Sequence, residues 1–258
     1  MGEYDVRDQL GYVKASTGAQ KVGYVGHSQG TIQMFFALSQ WEDALAQDVY
    51  AFGALAPVAR TGHLSSNILQ VLADSHLADL IKALGFGEFF GRNWLVSGIA
   101  ETFCAQLKTA CEFILYMFLD LFPLSDDLSQ TAVALAYCPA GTSVKNMQHW
   151  AQLTSSDKFQ FFDYGFVENY KRYHQFKPPE IDLTVLHQVP IGLFCGGGDE
   201  LADPTDVAWL RSQLSQEVLK ADHTYPEYGH ITFVVGKTSE YVDDLVAFLD
   251  TYAIAVTE

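Results

Sequence analysis

The chain has 258 residues, 49% hydrophobic and 14% aromatic, which is enough to bury a sizeable core and places it among globular rather than disordered chains. Its 15 Lys and Arg against 31 Asp and Glu give a formal net charge of −16, which offers nucleic acid no basic footprint and anionic lipid heads no attraction. Contact with a membrane or a lipid droplet therefore has to be apolar, and neither a basic n-region nor an apolar h-region of a signal peptide opens the chain.

In chain order, Gly2 to Ser16 predicts a helix with Val6, Leu10 and Val13 roughly on one face. Val22, Tyr24 and Val25 predict a short buried strand, and Thr31 to Leu38 a helix. Between them stands Gly26-His27-Ser28-Gln29-Gly30, a serine flanked by glycines at a strand-to-helix turn. Such a turn holds the hydroxyl of Ser28 exposed as a nucleophile, while a side chain at Gly26 or Gly30 is expected to collide with the adjoining strand or helix. The backbone amide of Gln29, at the start of the helix, is a natural donor for a developing oxyanion. His27 points elsewhere and has an accessory or packing role. Val49 to Ala56 predicts a second strand.

A long insertion follows. Leu64 to Phe122 carries helical runs, including Ile68 to Leu72, Leu77 to Leu84 and Phe113 to Leu119. Lys108, Glu112 and Asp120 bound the last of these, leaving a stretch too short to span a bilayer. Core helices are the default reading, and a cap over the serine is the functional one. Cys104 and Cys111 lie seven residues apart, or about 10.5 Å along a straight helix. That exceeds the roughly 7 Å between Cα atoms that a disulfide spans. Cys138 and Cys195 are expected to be buried thiols.

Beyond the insertion, Pro190 to Cys195 predicts a buried strand that ends in Gly196-Gly197-Gly198-Asp199 and so delivers a carboxylate just past its end. Asp203 and Asp206 compete for the same orienting role, and Asp199 is preferred because it lies nearest the strand. Val218 to Tyr225 predicts another strand, followed by a loop carrying His230; the competing His223 lies inside that strand. A serine nucleophile needs a base, and the base needs an orienting acid. The order Ser28, Asp199, His230 is the chain order of α/β-hydrolases.

With these residues in place, the chain resembles the acid lipase family of α/β-hydrolases, the group of gastric and lysosomal acid lipases. The resemblance rests on Tyr24 to Thr31, Leu55 to Ala59, Pro139 to Trp150, Gly196 to Pro204 and the His230 loop, blocks that run nearly end to end. It implies an α/β-hydrolase fold with a mainly helical cap insertion, divided as residues 1–57 (core with the nucleophile elbow), 58–187 (cap) and 188–258 (core with acid and base). It also implies a nucleophile at Ser28, an acid at Asp199 and a base at His230. Hydrolysis of triacylglycerols or cholesteryl esters at a lipid–water interface follows, as do a secreted or lysosomal setting and a disulfide within the cap. The absence of any N-x-S/T sequon departs from the glycosylated habit of secreted lipases.

Relative to that family the elbow comes early, so the chain is expected to lack the N-terminal strands and the loop with the second oxyanion amide, and the elbow strand to form an unpaired sheet edge. The alternative function is accordingly a truncated, catalytically impaired remnant that binds lipid or is non-functional. No cofactor or metal is expected. Gly196-Gly197-Gly198 lacks the lysine of a phosphate loop, and the histidines and cysteines lack zinc-site spacing.

Overall fold

The computed structural model describes residues 1–64, 88–89, 124–127, 129 and 141–253. The helical runs between 65 and 123, Cys104, Cys111 and Cys138 lie outside the described residues.

Helix α1 (Asp5–Thr17) leads into β1 (Val22–His27), α2 (Gln29–Leu45) and β2 (Val49–Leu55). Two short strands, β3 (Glu88–Phe89) and β4 (Thr142–Ser143), pair antiparallel, and α3 (Val144–Ser156) and α4 (Phe166–Tyr173) follow. The chain then returns through β5 (Ile191–Gly196), α5 (Pro204–Gln213), β6 (Leu219–Tyr225), α6 (Thr232–Val235) and α7 (Glu240–Ala253). Strands β1, β2, β5 and β6 form one parallel sheet in that order.

The two central strands are buried along almost their whole length, with Phe52, Ala54, Ile191, Leu193 and Phe194 fully inaccessible. This is why they read in sequence as continuous apolar runs rather than alternating ones. Phe52 packs edge-on against Phe35 of α2 at 5.0 Å, whereas a side chain on the next residue, Gly53, would meet Leu245 of α7. Neighbouring residues of a strand point to opposite faces, so α2 and α7 cover opposite faces of the sheet. On α2 the inward stripe of Met34, Phe35, Ala37 and Leu38 is completely buried, and α1 adds Val6 and Leu10. Val13, expected on the same face of α1, is exposed, although Leu10 one turn before it is buried. Among the described residues, strand β1 forms one edge of the sheet, and its Val25 is exposed.

Candidate active site

In a parallel sheet all strands end on the same side, and crevices form beyond their carboxyl ends. His27 is registered with Leu55, Leu55 with Phe194, and Gly196 with Tyr225. Ser28, Asp199 and His230 follow the ends of β1, β5 and β6 respectively, so the three sequence-predicted positions all lie on the carboxyl-end side of the sheet.

Ser28 occupies a conformation that side chains rarely adopt, with φ 54° and ψ −115°. It is held there from several sides: its amide donates to the Leu55 carbonyl at 3.1 Å, and its own carbonyl accepts from the Thr31 amide (2.9 Å) and the Thr31 hydroxyl (2.6 Å). The Thr31 hydroxyl also accepts from the Val58 amide at 2.8 Å, joining the start of α2 to the chain beyond β2. Backbone strain of this kind persists only where surrounding bonds over-determine it. A Cβ at Gly26 would lie 2.7 Å from the Gly30 carbonyl carbon, so the close approach demands glycine there. At Gly30 the nearest atom to a Cβ is the Tyr24 hydroxyl at 3.9 Å. The collision expected at Gly30 therefore does not occur, because a Cβ there would meet no more than the tip of the Tyr24 side chain, at ordinary contact distance.

Asp199 and His230 are both buried, at 2% and 6% exposure. Nδ1 of His230 lies 3.0 Å from each Asp199 carboxylate oxygen. Oδ1 of Asp199 also accepts from the amides of Leu201 (2.9 Å) and Ala202 (2.6 Å), which orients the carboxylate. The glycines after β5 allow the His230 loop to close over them: the Gly197 amide donates to Tyr225 and the Gly198 amide to Tyr228, and a Cβ on Gly196 would stand 2.5 Å from the Tyr228 carbonyl oxygen. A carboxylate bonded to Nδ1 sets the tautomer and orientation of the imidazole.

The competitors are engaged elsewhere. Asp203 caps α5 by accepting from the Thr205 amide. Asp206 is bound by Arg60 Nε (3.2 Å) and by the amide (2.9 Å) and Nδ1 (2.8 Å) of His63. His63, Asp157 and Asp206 converge closely enough to suggest a cation site, yet the Arg60 guanidinium already bridges to Asp157 at 2.8 Å and to Asp206 and supplies the positive charge. His223 stacks on Phe194 with rings 5.5 Å apart and 3° from parallel. Cys195 is a buried free thiol whose pKa burial pushes up to about 12, which leaves it inert.

Two partners of the elbow have no signal in the spacing of the chain. The Gln29 side chain donates to Asn146 Oδ1 at 2.9 Å, and Asn146 Nδ2 donates in turn to the Thr142 hydroxyl at 2.9 Å. His27 Nε2 lies 2.9 Å from the His230 carbonyl oxygen. The block around Asn146 had shown only as part of a resemblance, and 117 residues separate it from Gln29. Beside this contact a cavity of about 340 Å³ is walled by Gln29, Ile32, Phe36, Asn146, Trp150 and Phe161 among others. Neither Ser28 nor His230 is among the described residues on its wall, so it borders the elbow through Gln29.

No protein-family model matches the chain. Among curated proteins it is similar to gastric triacylglycerol lipase of Bos taurus, 36% identical over 239 residues that make up 91% of this chain and 58% of that protein. Lipase lipl-5 of Caenorhabditis elegans is 33% identical over 245 residues (92% of this chain, 60% of the relative), and Lipase member K of Homo sapiens 32% over 258 residues (98% and 63%). The chain belongs to the acid lipase family. It spans about three fifths of the length of these acid lipase relatives. Solved structures agree on the fold: a lipase in its open form superposes with TM-score 0.54 at 16% identity, covering 98% of this chain and 73% of that one. The monoacylglycerol lipase of Paleococcus ferrophilus gives 0.51 at 13% identity, covering 96% and 76%. The four-stranded parallel sheet of this acid lipase chain is thus part of an α/β-hydrolase fold.

Proposed function

We propose that this protein is a serine carboxylic-ester hydrolase acting on neutral lipids, triacylglycerol or cholesteryl ester, through Ser28, His230 and Asp199. The observation that carries the reading is the strained turn at Ser28 and the buried Asp199–His230 pair, 3.0 Å apart, which follow the ends of parallel strands and are linked by the His27–His230 contact, in a chain of acid lipase lineage. Ser28 Oγ attacks the ester carbonyl carbon while His230 Nε2 takes its proton, and Asp199 stabilises the imidazolium that forms. The Gln29 amide, in the first turn of α2 where helix geometry leaves amides without intrahelical acceptors, shares the oxyanion's charge. His230 then returns the proton to the departing alcohol, and water repeats the cycle on the acyl-enzyme.

The cavity beside Gln29, walled in part by Ile32, Phe36, Trp150 and Phe161, supports a substrate with acyl chains, and residues 58–187 are assigned as the cap that excludes water from it. The substrate class and a lysosomal or secreted setting come from the lineage. No helix among the described residues is long and apolar enough to cross a membrane, in keeping with contact at a lipid–water interface. A second reading, a lipid-binding form without turnover, draws on the edge position of β1.

Labelling by a fluorophosphonate probe, with hydrolysis of short- and long-chain esters, separates the two. Wild type is expected to label and turn over, and Ser28→Ala to lose both. Asp199→Asn should keep its fold and lose on the order of 10⁴-fold in turnover, because the imidazole then takes the wrong tautomer. A folded wild-type chain that neither labels nor turns over would leave the second reading standing.

A further inference from the structure

His27 directly precedes the nucleophile, and its chemistry is not used by the reaction above. Its Nε2 lies 2.9 Å from the main-chain oxygen of His230, 203 residues away in sequence, and the two rings stand 5.0 Å apart. A carbonyl oxygen can only accept, so Nε2 of His27 carries the proton and the contact fixes its tautomer. We propose that His27 is a positioning residue, which sets the placement of the His230 ring by donating Nε2–H to the His230 carbonyl.

The geometry gives the tether a purpose. The His230 loop crosses from the end of β6 to α6. The bond from the Gly229 amide to the Thr232 hydroxyl (3.0 Å) and aromatic packing of Tyr228 on Phe233 (ring centroids 5.3 Å) hold it to its own flanks, and the Gly198–Tyr228 and Asp199–His230 contacts hold it to the end of β5. The bond from His27 instead ties it to the strand that presents Ser28, so base and nucleophile share one frame. An ångström of misplacement can cost about a hundredfold in rate. Burial, with the charge of His230 adding to it, lowers the pKa of His27 to about 4, so the tether carries no charge at neutral pH. A second imidazolium beside His230 would oppose the one formed during catalysis.

The kinetic consequence rests on the ester-hydrolase reading, so the test includes a readout that does not. His27→Phe keeps a planar ring and removes the donor; His27→Gln restores an N–H at similar reach. We expect His27→Phe to slow fluorophosphonate labelling of Ser28 and kcat by about 10- to 100-fold with KM within about twofold, and His27→Gln to recover most of the loss. The low-field proton resonance of the His230 Nδ1–H bonded to Asp199 should broaden or shift in the Phe variant and return in the Gln variant. If wild type fails to label but the resonance responds in this way, the hydrolase reading falls and the positioning role stands. Should His27→Phe unfold, His27→Gln decides: wild-type behaviour supports the tether, while losses equal to those of a folded His27→Ala overturn it. An unchanged labelling rate and resonance in folded His27→Phe overturns it as well.

Discussion

Ser28 stores backbone strain, and the glycine two residues before it carries the corresponding steric demand. A Cβ at position 26 would stand 2.7 and 2.8 Å from the Gly30 carbonyl carbon and oxygen and 3.0 Å from the Thr31 nitrogen, all main-chain atoms at the start of α2. None of them can yield by a rotamer change, so Gly26→Ala has to push α2 away from β1. Overpacking of this kind costs about 1–3 kcal/mol, and displacement of the elbow should nearly abolish Ser28 labelling. Gly30→Ala is expected to leave stability within about 1 kcal/mol of wild type or raise it slightly, since helix propensity favours alanine by about that amount and the nearest atom is 3.9 Å away. Thermal unfolding and probe labelling of the two variants check the pair; equal losses would show that the elbow does not depend on the approach at Gly26. The sequence displays these two glycines as equivalent. They differ only in where a missing side chain would point, which depends on the packing of α2 against β1.

Between elements, Glu42 does for α2 at its C-terminal end what Thr31 does at its start. The helix kinks at Trp41 (φ −144°, ψ 39°), and the next residue turns its buried carboxylate toward the segment entering β5. Its oxygens accept from the amides of His187 (2.9 Å), Gln188 (2.9 Å) and Val189 (3.1 Å). Glu42→Gln swaps one charged acceptor for an N–H₂ facing those donors, and should lower stability in urea unfolding by about 1–3 kcal/mol without changing the labelling rate of Ser28, which lies a full helix away. A variant as stable as wild type would mean water takes the place of the carboxylate. Contacts of this type mark the limit of what the sequence displayed. Strands β2 and β5 were legible because central strands of a parallel sheet are apolar on both faces, whereas the outer strand β6 alternates along its length. The order Ser28, Asp199, His230 was legible because each follows a strand end. Asp199 is preferred to Asp206 in the sequence for lying nearest the strand end, and the bonds to Arg60 and His63 that engage Asp206 elsewhere have no sequence signal. The Gln29–Asn146, Glu42–His187 and His27–His230 bonds join residues more than 100 positions apart, and no local periodicity encodes them.

For the whole molecule, acid pH pulls stability in opposite directions. At a net charge of −16, protonating carboxylates relieves self-repulsion and favours the compact state as pH falls. The partly buried histidines oppose this. His27 binds its proton near pH 6.5 in the unfolded chain and only near 4 in the folded one, and burial lowers His149 in the same direction. Between those values the unfolded state holds more protons, so the stability that a neutral His27 contributes is complete above pH 6.5 and is lost as pH falls toward 4. Exposed His63 and His187 are raised by their carboxylate and carbonyl partners and act in the reverse sense, their contribution fading as pH rises. Wild type alone therefore reports a sum of opposing slopes, and the difference from a variant that cannot titrate at position 27 isolates one of them. His27→Gln should gain on wild type by roughly 2 kcal/mol between pH 7 and pH 4, somewhat less than the full shift implies because the ring keeps an exposed edge. Urea midpoints of the two proteins at half-unit pH steps measure it: a gap that stays constant across the range would mean His27 is not held neutral, and a gap that closes from the acid side would reverse the sign of its burial.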